Sequence, residues 1–173
     1  LKAEAGLHIS WPQITPIRNW PMPDSIALHV TDKDDMVAEM RRFFAQARAY
    51  WQAKTAARDA NMRAPEHDIR LEAMIPVLEG KLPVVVDAEE IQQIQSAVAF
   101  CHREKVKMIL YGGYDAPKCT DLLKKHDIPV IIASVLRLPM RAHDPYDSAF
   151  TAAKKLHEAG VRFCIAGVGR MGN

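Results

Sequence analysis

Three carboxylates follow an apolar run directly in the stretch PVVVDAEE, residues 83 to 90. Asp87, Glu89 and Glu90 are near enough in the chain to hold a metal ion or to move a proton. They also fit a helix start, because an N-cap aspartate would stand three positions before a glutamate and the other acids would lie in the first turn. Both interpretations stay open, and Asp87, at a strand end, is the candidate catalytic residue.

The next candidate site residues are Gly112, Gly113 and Tyr114 in the segment YGGYDAP. Paired glycines allow the backbone to approach a substrate or phosphate closely, although a tight strand-to-helix turn needs them equally. Asp115 is a plausible N-cap for the helix that follows. We therefore assign substrate binding to the two glycines and Tyr114, with the turn as the alternative.

The segment LRLPMRAHDPYDSAF is longer than a tight turn and chemically more varied. Arg137 and Arg141 could clamp a carboxylate or phosphate through paired N–H groups. In addition to Asp87, His143 is a candidate catalytic residue, and it is the best candidate for proton transfer. The pair Asp144-Pro145 predicts the start of the next helix. We expect this connection to bind substrate.

Other motifs predict little. Gly167, Gly169 and Gly172 spell G-x-G-x-x-G after a strand-like run, but this run is the last of the series and the chain ends before the acid that a dinucleotide site needs. The seven histidines form no HxH or HExxH pattern, and no GxSxG or P-loop is present. No self-contained metal or nucleophile site is visible in the sequence.

Composition excludes several classes of protein. The chain has 173 residues, of which 49% are hydrophobic and 25% charged, as in a soluble domain. A net charge of +2 argues against nucleic acid or membrane partners, and no apolar run reaches about 18 residues. Cys101, Cys119 and Cys164 form no CxxC pair, which predicts buried, reduced thiols and a cytoplasmic location. The start at Leu1 predicts a piece of a longer protein.

Two regions are expected along the chain. Residues 1–67 combine an irregular, proline-rich segment with a long helix from about 32 to 60, as in an insertion or linker. Residues 68–173 begin with a short helix and continue as repeats of strand and helix. The strands are predicted at 82–86, 106–111, 128–135 and 161–167, and the helices between them at about 88–104, 115–126 and 145–159.

These strands show no in–out alternation, as expected for a parallel sheet covered on both faces. The fold class is therefore α/β, built from parallel βα repeats. It is either part of a (β/α) barrel or a small open doubly wound sheet, and both place a site at the carboxyl ends of the strands.

Residues 68–167 resemble the amidohydrolase superfamily, in particular its imidazolonepropionase-like and prolidase-like group. The resemblance lies in the order and spacing of four runs: LEAMIPVLEGKLPVVVDA, EIQQIQSAVAFCHREKVKMILYGGYDA, IPVIIASVLRLPMRAHDPYDSAF and LHEAGVRFCIAG. It implies the second half of a distorted (β/α)8 barrel from a metal-dependent hydrolase. Such enzymes cleave amide or cyclic C–N bonds of small molecules with metal-activated water and a strand-end aspartate.

The chain departs from that family at several ligand positions. Asp87 stands where a metal-binding histidine is usual, and Gly112 and Gly113 stand where a histidine is common. No acid follows the last strand near Gly167 and Val168. Asp87 could still bind a metal through oxygen. A divalent metal such as zinc is therefore expected only in the full-length protein, and none in this chain alone.

Two hypotheses follow for the function of this chain. The first is a fragment of an amidohydrolase-like hydrolase that is not catalytic by itself. The alternative is a non-catalytic α/β module that binds a small anionic ligand over Gly112, Gly113, Arg137 and Arg141. In either case, unpaired edges of a partial barrel predict self-association.

Overall fold

The computed structural model describes residues 6–12 and 33–167, which form one parallel sheet and a set of helices. The strands are β1 (Leu7–Ser10), β2 (Val84–Ala88), β3 (Met108–Gly112), β4 (Val130–Ile132) and β5 (Phe163–Ile165). The α-helices are α1 (Lys33–Asp59), α2 (Ile69–Leu78), α3 (Ile91–Arg103), α4 (Thr120–Lys125) and α5 (Ser148–Glu158), with a short 3₁₀ helix, Ala116–Lys118, before α4. In the described ranges no helix is long and apolar enough to cross a membrane.

The sheet runs in the order β1-β2-β3-β4-β5, and every neighbouring pair is parallel. A doubly wound sheet reverses its strand order at a switch point, whereas this order never reverses. Right-handed crossovers in a single direction place the intervening helices on one face of the sheet. The predicted α/β class with parallel βα repeats is confirmed, and the sequential order is that of a partial barrel.

Strand β1 lies in the segment that was predicted to be irregular. Leu7 pairs with Val84 and Ser10 with Asp87, and the Trp11 N–H donates to the Asp87 carbonyl at 2.9 Å. The irregular prediction is wrong for these residues, because a four-residue strand is too short to show a period among nearby prolines. The predicted irregular stretch from residue 13 to 30 lies outside the described residues.

The chain divides into two compact units, one made of residues up to Trp11 together with those from Leu82, and the other of Pro12–Lys81. The second unit holds α1 and α2. Between these helices, the Tyr50 hydroxyl donates to Glu72 at 2.9 Å, and Lys54 forms an ion pair with the same carboxylate. Helix α2 thus groups with α1 in this unit.

The burial of residues alternates along the central strands, although their side chains do not alternate between apolar and polar. In β2, Val84 and Val86 are fully buried, whereas Val85 and Asp87 are half-buried. Strand β3 repeats this pattern. Because successive side chains point to opposite faces, one face of the sheet is buried beneath helices and the other carries half-buried residues that include Asp87.

The three cysteines do not share one environment. Cys101 and Cys119 are buried, as predicted, and burial raises the pKa of the Cys101 thiol to about 12, so it stays protonated. Cys164 is exposed, and the prediction is wrong there, because β5 is the edge of the described sheet and its residues are only partly covered. The cytoplasmic location stays a prediction.

The turn after β3 should be the least tolerant of a side chain. Gly113 has a φ of +66°, and a Cβ there would lie 3.2 Å from Val130 Cγ1 and 3.2 Å from the Ala116 Cβ. We expect Gly113→Ala to lower the free energy of unfolding by at least about 2 kcal/mol, from left-handed strain plus overpacking. Urea denaturation measures the loss.

Gly160→Ala is the matched control, because Gly160 has a similar φ of +73° but only Lys124 Nζ, at 3.9 Å, near its added Cβ. It should lose only about 1 kcal/mol, from backbone strain. Equal losses in the two variants would contradict the crowding at Gly113.

Candidate functional site

The candidate residues gather at the carboxyl ends of β2, β3 and β4. Because parallel strands end at the same edge of a sheet, the loops that follow them lie side by side there. The loop after β3 is hydrogen-bonded to the segment between β2 and α3. The Gly113 N–H donates to Ala88 O and the Asp115 N–H to Glu89 O, each at 2.9 Å.

Asp87 is the fourth residue of β2 and does not cap a helix. Its neighbours in the ladder are Ser10 on β1 and Tyr111 on β3. Burial raises the pKa of its carboxyl, the negative charge of Glu89 adds to that rise, and His8 opposes it. Asp87 therefore keeps a proton to a higher pH than an ordinary aspartate does, which favours proton transfer.

Helix α3 is capped by Glu90, so the interpretation of Asp87 as its N-cap is wrong. The N–H groups of Glu89 and Glu90 both donate to Gln93 Oε1, each at 3.1 Å. The reason is that β2 continues through Ala88, which places the first helical turn three residues later than the capping motif suggested. Asp87 thus remains a carboxylate of the strand end.

Glu89 forms hydrogen bonds with both the connection after β3 and the connection after β4. Its Oε1 accepts from Arg137 Nη1 at 2.8 Å, and its Oε2 accepts from the Tyr114 N–H at 2.8 Å. A Cβ on Gly112, whose φ is +89°, would lie 3.1 Å from Glu89 Cδ and 3.3 Å from Asp87 Oδ1. Gly112 therefore provides both the turn geometry and the space in which the two acids come together.

Asp115 is the buried centre of the cluster, with 1% of its surface exposed. Arg141 donates to both of its carboxylate oxygens, at 3.1 and 2.7 Å, Lys118 Nζ lies 2.8 Å away, and the Ile91 N–H donates at 3.2 Å. Burial raises the pKa of Asp115, but the hydrogen bonds from Arg141, Lys118 and Ile91 outweigh it and the net direction is downward. The carboxylate is thus fully compensated.

Tyr114 stands between the two arginines. The guanidinium carbon of Arg137 lies 5.1 Å from its ring centroid and that of Arg141 lies 5.9 Å away, both within cation–π range. Its hydroxyl donates to Asp144 Oδ2 at 3.0 Å and accepts from the Met140 N–H at 3.1 Å. Tyr114 therefore holds the connection after β4 in place.

The structure brings together most of the predicted site residues but gives them protein partners. Arg137 and Arg141, expected to bind a ligand anion, hold the carboxylates of Glu89 and Asp115. His143 is exposed in the same connection. The pairing of Asp115 with Arg141 spans 26 residues, so local sequence patterns had suggested only a helix cap for Asp115.

The residues of this site do not fit a metal centre by themselves. In residues 6–12 and 33–167, no three histidine, cysteine, aspartate or glutamate side chains are arranged to hold a metal ion. Glu89, the acid beside Asp87, is already engaged by Arg137 and by the Tyr114 N–H. Of the predicted dinucleotide glycines, Gly167 is described, and Gly169 and Gly172 lie outside the described residues.

Comparison with known proteins gives one informative likeness. No family model matches the chain, and no curated protein matches it. Among solved structures, an amidohydrolase from Thermotoga maritima MSB8 superposes with a TM-score of 0.79 over 98% of this chain, at 18% sequence identity. The chain covers 43% of the length of that amidohydrolase. At this identity, the likeness shows the fold.

Arg141 should contribute more to stability than an exposed arginine in a similar ion pair. Arg141→Met leaves the buried Asp115 with only Lys118 and one backbone N–H. We expect it to lower the free energy of unfolding by about 2 to 4 kcal/mol, because a buried charge loses its main partner. Urea denaturation at neutral pH measures this.

Arg162→Met is the control, since Arg162 pairs with Asp127 at 2.8 Å where the two side chains are 65% and 85% exposed. That loss should stay below about 1 kcal/mol. Similar losses in both variants would refute the structural role of the Asp115–Arg141 pair.

Proposed function

We propose that this chain is part of an amidohydrolase-like hydrolase that acts on amide or cyclic C–N bonds of a small-molecule substrate. The observation that carries the proposal is the likeness of the whole described fold to part of an amidohydrolase. The sequential parallel strand order supports it, because such an order places one set of strand ends around a common site.

In this proposal Asp87 is the proton-transfer residue. It lies at a strand end, on the sheet face opposite the buried one, and its pKa is raised by burial and by Glu89. A carboxyl group whose pKa moves towards neutrality exchanges protons more effectively with a substrate or a water molecule. His143, exposed in the connection after β4, stays a second candidate for proton transfer.

The arginines have a positioning role in the same proposal. Arg137 fixes Glu89, and Glu89 is the charge that helps to raise the pKa of Asp87. Arg141 fixes Asp115 and with it the start of α3 through the Ile91 N–H. Substrate contacts then fall to Gly112, Gly113 and the surroundings of Tyr114.

Catalysis needs more than the described residues. Since no three donors in those residues form a metal site, a catalytic divalent metal such as zinc at the strand ends would need ligands from elsewhere in the full-length protein. The chain also spans less than half of the similar amidohydrolase. We therefore expect residues 1–173, expressed without further sequence, to show no hydrolytic turnover.

Asp87→Asn tests the proposal in the natural protein that contains these residues. Turnover of a panel of N-acyl amino acids, dipeptides and cyclic amides would be measured with and without chelator. We expect chelator-sensitive hydrolysis by the unmodified protein and a fall in kcat/KM of about 100-fold or more in Asp87→Asn, the usual scale for a lost acid–base group.

The control is Asp121→Asn, which neutralises an exposed aspartate in the first turn of α4 and should leave turnover unchanged. The proposal fails if no member of the panel is hydrolysed. The role of Asp87 fails if both variants keep full activity.

The alternative, a module that binds a small anion over the glycines and arginines, has weaker support. Arg137 is 29% exposed and Arg141 26% exposed, but the Glu89 and Asp115 carboxylates already occupy their guanidinium groups. An external anion would have to compete with both. Saturable binding of phosphate or acetate in calorimetry, lost in Arg137→Met, would favour this module over the hydrolase.

We also propose self-association of residues 1–173. In the described sheet, β1 and β5 each pair on one side, which leaves two edges for another chain. Sedimentation velocity should show a mass that rises with protein concentration. A monomer that persists at high concentration would contradict this part of the proposal.

A further inference from the structure

His102 and His126 form a pair away from the candidate site. His102 is in the last turn of α3, and His126 is the residue that caps the end of α4. Their ring centroids are 4.9 Å apart, with the ring planes at 72°. Helices that connect parallel strands run back along the sheet, so the ends of α3 and α4 lie towards the amino ends of the strands, opposite the Asp87 site.

The separation of the two rings matches that of two imidazoles on one metal ion. With a metal–nitrogen distance of about 2.05 Å and a ligand angle of roughly 90 to 109°, the two ring centroids lie about 4.5 to 5.2 Å apart. The observed 4.9 Å falls within this interval. The torsion about the Cβ–Cγ bond of histidine is soft, so one nitrogen of each ring can turn towards a shared ion at little cost.

The surroundings leave room for the remaining ligands. His102 is exposed and His126 half-buried, so water molecules can complete the coordination of an ion bound between them. Both residues also lie at carboxyl ends of helices, where the partial negative charge favours a cation. Arg103, Lys124 and Lys125 in the same last turns oppose this, which predicts moderate rather than tight binding.

We propose that His102 and His126 form a site for a divalent transition-metal ion that joins α3 to α4. Imidazole nitrogen suits Cu²⁺, Ni²⁺ and Zn²⁺, and for a site of this kind the order of affinity places Cu²⁺ above the other two. Mg²⁺ and Ca²⁺ prefer oxygen ligands and should not compete. The site has only two protein ligands, so it is compatible with the lack of any three-donor group in the described residues.

The experiment is calorimetric titration of the 173-residue chain with Cu²⁺, Ni²⁺ and Zn²⁺ at neutral pH, repeated with His102→Gln and His126→Gln. We expect one ion per chain and, in each variant, an affinity reduced by about tenfold or more. Thermal unfolding gives a second readout. The midpoint of the unmodified chain should rise with the logarithm of the free metal concentration, and this rise should be lost in both variants.

His157→Gln is the matched control, because His157 is likewise an exposed histidine in the last turn of a helix, α5. It should bind metal as the unmodified chain does. The site is refuted if His102→Gln and His126→Gln keep their affinity, if only one of them loses it, or if His157→Gln loses as much. Circular dichroism of each variant without metal separates lost binding from lost folding.

Discussion

The carboxylate of Asp115 holds together the end of the sheet on which the candidate site is built. A buried aspartate is stable only if donors satisfy both of its oxygens, and here they come from three separate segments. Arg141 belongs to the connection after β4, Lys118 to the 3₁₀ helix and Ile91 to the first turn of α3. One side chain thus fixes the relative positions of three strand-end connections, and the neighbouring Glu89–Arg137 pair repeats the arrangement nearer the surface.

Asp87 differs from Asp115 because its surroundings raise the pKa of its carboxyl group, whereas those of Asp115 lower it. Glu89 and Asp115 each hold an arginine, whereas the environment of Asp87 combines burial with the negative charge of Glu89. The pKa of a structural carboxylate is lowered by its ion pairs and hydrogen bonds, which keep it charged. A carboxyl group that exchanges protons near neutral pH needs surroundings that raise its pKa instead. This edge of the sheet thus contains an ion-paired carboxylate, Glu89, and a carboxyl group with a raised pKa, Asp87, only two positions apart in the chain.

The fold was largely predictable because each of the three βα repeats from β2 to α5, and the strand β5 that follows them, carries its own sequence pattern. Continuous apolar runs, glycine stops and helical periodicity depend on local sequence, and so the order of strands and helices could be predicted from residue 68 onward. Strand β1 could not be predicted in this way, because its four residues, Leu7–Ser10, are defined by their pairing with β2, which lies more than 70 positions later in the chain. The alternating burial of β2 was equally hidden, because Val84 and Val85 have the same side chain in different surroundings.

The position of the candidate residues at the carboxyl ends of the strands was predictable from the sequence, whereas their contacts were predictable only in part. Residue type and position at a strand end indicated Asp87, Gly112, Gly113, Arg137 and Arg141. Local sequence could not show that the arginines pair with Glu89 and Asp115, because those pairs join residues 48 and 26 positions apart. The start of α3 at Ile91 depends in the same way on Gln93, whose amide oxygen accepts from the backbone of Glu89 and Glu90.

The pairing of β1 with β2 has a consequence for how this fold can vary. In the sequence, the whole segment Pro12–Lys81 is inserted between β1 and β2, two strands that are hydrogen-bonded neighbours in the sheet. For a flexible connection, the entropy of loop closure grows only with the logarithm of its length, at about 0.6 kcal/mol per doubling, and a folded unit whose ends lie close together adds little to it. Long or short, the intervening polypeptide therefore changes the cost of docking β1 only slightly. This junction is a place where whole segments can be gained, lost or exchanged while the sheet keeps its register.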